Sequence, residues 1–131
     1  MPKVLKLDRA GKLKLSEADV VLQVEDWLKA HRWEILRTGY GEIYRDGRPV
    51  AWVGEVGMPD AQARRWKGGN YCEVIWLEYK RPKCAGYRGG ILGPAQRLWL
   101  AAETARGGLC VVVDNLDQFK AWYRQHIGPE K

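Results

Sequence analysis

The sequence predicts a single α/β domain with a mixed central sheet flanked by helices. The chain has 131 residues, which suits one domain with its own core. In three stretches, apolar residues recur at spacings of three and four, the period of an amphipathic helix. Short alternating or β-branched runs lie between them, bounded by glycine-rich turns, and such runs are typical of strands.

The first predicted helix follows residues 1–15, a stretch expected to form a basic N-terminal arm. Ser16 is its predicted N-cap, and an acid at position 17 suits the positive end of the helix dipole. The apolar stripe consists of Val20, Val21, Val24, Trp27 and Leu28. Seven residues are close to two helical turns, so Glu17 shares the face of Val24. We therefore expect Glu17, and not Glu25, to point at whatever the helix packs against.

Strands are predicted in the middle of the chain. Residues 33–38 alternate, and Asp46-Gly47 is a hairpin turn signal between two further runs. A second hairpin joins a strand from Asp60 to Trp66 with a strand over 71–80. The returning strand is apolar on both faces, which indicates a central position in the sheet.

The last part of the chain predicts helix, strand and helix. Pro94 occupies the favoured first helical position, and Gly107-Gly108 marks the end of that helix. Its inner stripe is predicted to be Ala95, Leu98, Trp99 and Ala102, with Gln96 beside it. Residues 109–113 form a short strand, and Asn115 caps the final helix. The domain is expected to span 16–127, followed by a tail over 128–131.

The chain is basic, with 22 Lys and Arg against 16 Asp and Glu, a formal charge of +6. This balance indicates an anionic partner, most simply nucleic acid, although many basic proteins bind none. Seven tryptophans are many for this length. Most are expected in the core, but exposed aromatic residues beside basic clusters would suit stacking on bases.

The cysteines and apolar runs exclude several classes of protein. Cys72, Cys84 and Cys110 form no CxxC pair, so the sequence supports neither a zinc knuckle nor a redox motif. Cys72 and Cys110 are expected to be small core residues. The N-terminus lacks the apolar stretch of a signal peptide, and no run approaches the ~18 residues of a membrane span. We expect a cytoplasmic protein, of a bacterial or phage-infected cell, with reduced thiols and no membrane partner.

Charges inside the second hairpin point to a metal site. Its register brings Asp60 and Glu78 together at one end of the sheet. Two carboxylates held this close repel each other unless a proton or a cation lies between them. Mg²⁺ prefers such oxygen ligands, completed by waters and a phosphate, and the backbone carbonyl of Tyr79 can supply another oxygen.

Three further side chains complete this predicted site. Lys80 shares a face with Glu78 and is placed to orient or polarise an attacking water, which is the requirement for metal-assisted phosphodiester hydrolysis. Gln96 enters from the following helix, and Glu17 is expected as a further acid ligand. Each residue alone has an ordinary explanation, since Glu78 and Lys80 can form a solvated ion pair and Asp60 can be a turn residue. Their combination in this order is far more specific.

The ordered set resembles a virus-type replication-repair nuclease (VRR-NUC) domain of the PD-(D/E)xK superfamily, which includes junction resolvases and many restriction enzymes. The resemblance rests on Glu17, Gly57-Met58-Pro59-Asp60, Leu77-Glu78-Tyr79-Lys80 and Pro94-Ala95-Gln96, and it spans about residues 16–123. It implies a restriction-endonuclease-like core, with Asp60 and Glu78 as metal ligands and Lys80 as the catalytic lysine. Gln96 is then the helix glutamine and Glu17 the helix-one acid. Family members often carry serine where this chain has Gly93, and segment 39–56 does not align.

The resemblance also implies a metal-dependent, structure-selective DNA endonuclease, acting on Holliday junctions or flaps in replication, repair or recombination. Mg²⁺ is the expected cofactor, with Mn²⁺ as a substitute, and a homodimer is expected because symmetric nicking needs two sites. Phosphate contacts are expected at Arg81, Lys83, Arg88 and Arg97, with Tyr87 as a possible base wedge. The alternatives are a solvated basic loop and, for the whole chain, a non-catalytic nucleic-acid-binding module on a nuclease fold.

Overall fold

The alternation of helix and strand predicted by the sequence is present along the chain. The computed structural model describes residues 6–7, 13–38, 40–53, 57–82 and 92–129. In this part the elements are β1 (Lys6–Leu7), β2 (Leu13–Lys14), α1 (Glu17–Ala30), β3 (Glu34–Arg37), β4 (Tyr40–Arg45), β5 (Arg48–Val53), β6 (Ala61–Gly68), β7 (Tyr71–Tyr79), α2 (Pro94–Ala105), β8 (Leu109–Val113) and α3 (Leu116–His126).

The main sheet has four strands in the order β3-β6-β7-β8. The first three strands are antiparallel, and β8 lies parallel to β7, so that the connection from β7 to β8 passes through α2. The predicted α/β class and the mixed sheet flanked by helices are therefore confirmed. β7 lies between β6 and β8, the central position that its sequence, apolar on both faces, predicts.

One face of the sheet packs against α1 and α3. Ala61, Ala63, Ile75, Leu77, Tyr79 and Val113 of the sheet join Val20, Val24 and Leu28 of α1 and Phe119 and Tyr123 of α3 in one buried cluster. The helix stripe predicted for α1 is thus confirmed, with Val21 and Trp27 packed against the cluster. Each fully buried aliphatic or aromatic side chain stabilises the fold by roughly 1.5–3 kcal/mol, which makes this cluster the main source of stability.

The opposite face of the sheet carries α2. Trp76 of β7 meets Trp99 of α2 edge to face, with ring centroids 4.8 Å apart. The prediction that Leu98 and Ala102 belong to the inner stripe is wrong, because Leu98 is 72% exposed and Ala102 is exposed as well. The prediction of a core position for Cys72 is also wrong, since this residue lies near the exposed tip of the β6–β7 hairpin. A helix held mainly through one tryptophan leaves most of its surface in water.

Local signals fix the ends of α1. Ser16 accepts a hydrogen bond from the Asp19 backbone N–H at 3.2 Å, and the Asp19 carboxylate accepts one from the Ser16 backbone N–H at 2.7 Å. This is a complete capping box. At the other end Arg32 adopts a φ of +71°, in the left-handed region where helices usually place glycine.

The remaining described strands form two small antiparallel pairs. Within the predicted N-terminal arm, β1 pairs with β2, and the rest of residues 1–12 lie outside the described part. The predicted turn at Asp46-Gly47 is confirmed, because it joins β4 to β5. Residues 39 and 54–56 lie outside the described part, as do 130 and 131 of the predicted tail. The described helices include none with the length and apolar character needed to span a membrane.

Candidate active site

The β6–β7 hairpin brings Asp60 and Glu78 together at one edge of the main sheet. Ala61 pairs with Leu77, so the register sets Asp60 beside Glu78. The Asp60 carboxylate accepts a hydrogen bond from the Tyr79 backbone N–H at 2.8 Å. This bond takes the place of the next rung of the ladder, because β6 begins only at residue 61. The end of the strand therefore holds a carboxylate where a backbone carbonyl would otherwise lie.

Thr38 and Pro59 fix the approach of the chain to Asp60. The Thr38 backbone N–H donates to the Asp60 carbonyl at 3.2 Å, and the Thr38 hydroxyl donates to the Pro59 carbonyl at 2.5 Å. Thr38 and Pro59 are both buried. These two hydrogen bonds from Thr38 restrict the conformation of the peptide that precedes Asp60.

Glu78 is a buried carboxyl group with two polar partners. Its side chain is 3% exposed, and the Lys80 ammonium lies 3.5 Å from its Oε1 atom. The Gln96 amide nitrogen donates to the same oxygen at 2.8 Å. Lys80 also lies 3.5 Å from the Gln96 carbonyl oxygen. The three side chains form a closed triangle of polar contacts around one oxygen of Glu78.

The tryptophan pair accounts for the position of Gln96. Trp76 precedes Glu78 by two residues on a strand, so both point to the same face. Gln96 precedes Trp99 by three residues on a helix, so they too share a face. Contact between the tryptophans therefore sets Gln96 over Glu78. The Gln96 carbonyl also accepts the Gly93 backbone N–H at 3.0 Å, which ties the start of α2 to the site.

Burial and the neighbouring Asp60 raise the pKa of Glu78 to about 7, against an ordinary value of 4.5. Loss of hydration is the larger cause, and repulsion from the Asp60 carboxylate adds to it. The Lys80 ammonium and a backbone hydrogen bond from Asp60 act in the opposite direction and only partly offset these effects. A carboxyl group with this pKa exchanges its proton near neutral pH.

This shift predicts a pH dependence for the metal-free protein. Below pH 4.5 Glu78 is protonated in both the folded and the unfolded protein, and its raised pKa makes its full contribution to the free energy of unfolding. From pH 4.5 to about 7 the unfolded state gives up the proton first, so the free energy of unfolding falls as the pH rises. The loss is on the order of 3 kcal/mol and is complete above the folded pKa.

Urea unfolding in chelator at pH 5 and pH 8 measures this effect. Other groups also titrate in that range, so the comparison is made with Glu78→Gln, which cannot ionise. The wild type is expected to lose more stability than the variant between the two pH values. Equal losses in the two proteins would contradict the assigned pKa.

The donor set fits a hard divalent cation. Asp60 and Glu78 are adjacent carboxylates, and their mutual repulsion is what a bound cation relieves. The N–H and C=O groups of one strand residue point to the same side, so the Tyr79 carbonyl faces the side of Asp60. No cluster of three or more His, Cys, Asp or Glu side chains capable of holding a metal occurs among the described residues. Mg²⁺ is commonly held by one or two carboxylates with waters and substrate phosphate, so two carboxylates are sufficient.

The prediction for the orientation of helix α1 is wrong in one respect. Glu17 is exposed, whereas Glu25 is 7% exposed and faces the sheet. The Glu25 carboxylate accepts a hydrogen bond from the Tyr79 hydroxyl at 3.1 Å and lies 2.9 Å from the Arg37 guanidinium. Burial and the Glu25 carboxylate raise the pKa of the Tyr79 hydroxyl. The available sequence signal for Glu25 is its spacing, because it lies three residues before the buried Leu28 and so lies close to the same face of the helix.

Other residues of this edge carried weaker signals in the sequence. Asp114 directly follows β8 and is buried, in register beside Lys80, whose backbone N–H donates to Val113. Its carboxylate accepts a hydrogen bond from the Asn115 side chain at 2.9 Å. The sequence signal for Asp114 was its place as an acid immediately after a valine-rich strand. Thr38 carried no such signal, because its hydrogen bond is to a residue 21 positions away along the chain.

Of the predicted DNA-contacting residues, Arg81 and Arg97 are exposed near the site. Arg81 directly follows Lys80, and Arg97 directly follows Gln96. Lys83 and Arg88, together with Tyr87, lie outside the described residues. Each of these two exposed cations is therefore next in sequence to one residue of the Lys80–Gln96 contact.

Comparisons with known proteins yield no relative on which to base a function. No model of a protein family matches the chain, and neither the curated proteins nor the solved structures give a match. The function is therefore argued from the geometry of Asp60, Glu78, Lys80 and Gln96.

Proposed function

We propose that the protein is a metal-dependent DNA endonuclease that hydrolyses phosphodiester bonds at branched DNA, with a VRR-NUC-like PD-(D/E)xK core. One observation carries the proposal: a buried acid, Glu78, lies beside Asp60 at a strand end and contacts both Lys80 and Gln96. Burying several charged and polar groups together costs stability, and proteins keep such groups where their chemistry is used.

In this proposal Asp60 and Glu78 hold Mg²⁺, or Mn²⁺ in its place, with the Tyr79 carbonyl as a further oxygen. When bound, the ion lowers the pKa of water and stabilises charge on the phosphate. Glu78 must lose its proton to act as a ligand, and the pKa of about 7 makes this possible at neutral pH.

Lys80 and Gln96 orient the reacting groups. The Lys80 ammonium can donate hydrogen bonds both to the attacking water and to a phosphate oxygen. Its two contacts, with Glu78 and Gln96 at 3.5 Å each, are long and leave donor capacity for substrate. Water adds to phosphorus, one P–O ester bond breaks, and the departing oxygen takes a proton. The Gln96 bond to Glu78 keeps the acid pointed at the site.

DNA is the proposed substrate because its charge matches that of the protein. The formal charge is +6, and exposed Arg81 and Arg97 directly follow Lys80 and Gln96 in the sequence. Such residues contact phosphates and position DNA without reading its sequence. Symmetric cutting of a four-way junction requires two sites, and the protein is proposed to act as a homodimer.

The test is incubation of the purified protein with a four-way junction, a flap, a splayed arm and a linear duplex. Each substrate is incubated with Mg²⁺, with Mn²⁺ and with chelator, and the products are resolved on a denaturing gel. We expect metal-dependent cleavage of at least one branched substrate and weaker cleavage of the linear duplex. Binding of branched DNA without cutting in either metal would replace this proposal with that of a non-catalytic DNA-binding module.

A further inference from the structure

A second surface lies at the opposite end of the β6–β7 hairpin from the candidate active site. There a cleft of about 990 Å³ is formed by the ends of β6 and β7, the turn between α1 and β3, and the segment after α3. The lining residues on which the argument rests are Arg32, Glu34, Arg64, Arg65, Trp66 and Lys67. We call this surface the hairpin-tip cleft.

Two large aromatic side chains are exposed at this tip. Trp66 is 73% exposed and Tyr71 is 77% exposed. The Trp66 side chain is held in place by a hydrogen bond, which its indole N–H donates to the Gly69 carbonyl at 3.2 Å. This bond fixes the edge of the ring to the turn and leaves most of the ring in water. An indole held in this way provides a flat apolar platform.

The charge of the cleft is positive. Arg65 is neutralised by Glu73, which it contacts at 2.8 Å, and it stacks over Trp33. Arg32 is exposed, and Lys67 and Arg64 are about half-exposed, each with a long contact of 3.8 Å to an acid, Glu73 and Glu34 respectively. Among the described residues that line the cleft, Glu34 is the single acid. The cleft therefore offers three accessible cations beside an aromatic platform.

Arg32 occupies a position that favours a different residue. The Arg32 N–H donates to Lys29 and the Trp33 N–H donates to Leu28, which completes a Schellman motif at the end of α1. Arg32 is the left-handed residue of that motif, with φ +71°. Glycine adopts this conformation without strain, so an arginine costs stability there. The local fold gives no reason for arginine, whereas its side chain lines the cleft.

From these observations we infer that the hairpin-tip cleft binds an unpaired strand of DNA, with a base stacked on Trp66 and phosphates held by Arg32, Arg64 and Lys67. Cations interleaved with an exposed aromatic ring are the chemistry that recognises single strands, because every base has a face that can stack. Identification of the strand as DNA rests on the proposed function.

Trp66 and the candidate active site lie on the same face of the sheet. Trp66 pairs with Cys72, which is six residues from Glu78 on β7, so Trp66 and Glu78 project to the same face. Six residues of strand span roughly 20 Å. One branched DNA molecule can therefore present its duplex to the candidate active site and an unpaired arm to the cleft. The inference narrows the substrate class to DNA with a single-stranded segment.

The first test measures binding of a dye-labelled oligothymidine of 12 nucleotides in chelator, where no cleavage occurs. Trp66→Ala is expected to weaken binding at least about fivefold, which is the lower end for loss of one stacked base. Leu22→Ala is the matched control, because Leu22 is exposed on α1 and away from the cleft. Equal affinities for the wild type and Trp66→Ala would overturn the inference. Tighter binding of oligouridine than of oligothymidine would overturn the assignment to DNA.

The second test separates a structural role of Arg32 from a binding role. Arg32→Gly is expected to unfold at a higher urea concentration than the wild type, because glycine relieves the strain. The same variant is expected to bind the oligothymidine more weakly and to reduce the salt slope by about 0.7, the value for one phosphate contact on a single strand. Unchanged affinity and slope in Arg32→Gly would overturn the inference.

These measurements remain informative whatever the outcome of the cleavage assay. If the protein binds the oligonucleotide through Trp66 and Arg32 but cuts no DNA, the proposed nuclease activity is disproved and the strand-binding role of the cleft is supported. If the protein cuts branched DNA but all variants bind the oligonucleotide equally well, the nuclease activity is supported and the strand-binding role of the cleft is disproved.

Discussion

Replacement of any one of Asp60, Glu78 and Lys80 is expected to reduce metal-dependent DNA cleavage at least about a hundredfold. The variants are Asp60→Asn, Glu78→Gln and Lys80→Met, which keep the size of the side chain and remove its charge. Loss of one positioned charged group from an active site commonly costs a factor of this size or larger. Asp60 and Glu78 lie side by side, and Lys80 lies 3.5 Å from Glu78, so the three act on one reacting centre. Initial rates of cleavage on the preferred branched substrate measure the effect.

Matched variants on α1 control for the change of charge. Asp26→Asn and Lys29→Met remove exposed charges of the same kinds and are expected to cleave at the wild-type rate. Binding of the branched substrate in chelator should change less than about threefold in Lys80→Met, because cleavage and not affinity is the lost function. Cleavage within tenfold of the wild type in any of the three site variants would show that the active site lies elsewhere.

Substitution of Gly57 by alanine is expected to have the largest effect on the fold near the site. Gly57 has φ +85°, and a Cβ there would meet the Ala95 carbonyl group, with its carbon atom at 2.6 Å. Left-handed strain and overpacking together should lower the free energy of unfolding by about 2–5 kcal/mol. The clash pushes on the first turn of α2, which carries Gln96, so cleavage should fall as well. Urea unfolding and the cleavage assay are the two readouts.

Gly47→Ala separates the backbone effect from the clash. Gly47 has φ +75°, but a Cβ there would meet no atom within 4 Å. This variant should lose at most about 1–2 kcal/mol from left-handed strain and should cleave like the wild type. If Gly57→Ala proves no less stable than Gly47→Ala, then the close approach of Gly57 to Ala95 of α2 does not contribute to stability.

Local sequence was sufficient for much of this fold. Ser16 and Asn115 cap helices as predicted, because a capping side chain bonds to backbone only three residues away. The hairpin partners Asp60 and Glu78 could be paired from the turn between them, since register follows from counting along two strands. Lys80 could be placed with Glu78 from the period of the strand, and Gln96 was expected from the following helix; the structure places those four residues together.

Other features depend on which elements pack together, and sequence spacing alone left them undecided. Helical periodicity favoured Glu17 for the inward face, but Glu17 is exposed in the first turn of α1, whereas Tyr79 and Arg37 stabilise buried Glu25. Leu98 and Cys72 are apolar and fit a buried pattern, yet both are exposed, because within the described residues no element covers that part of α2 or the hairpin tip. The sequence by itself thus determined the elements, their ends and the hairpin that pairs Asp60 with Glu78. Tertiary structure alone decided which acid of α1 is buried and which tryptophan is exposed, because burial is a property of the neighbouring surface and not of the residue.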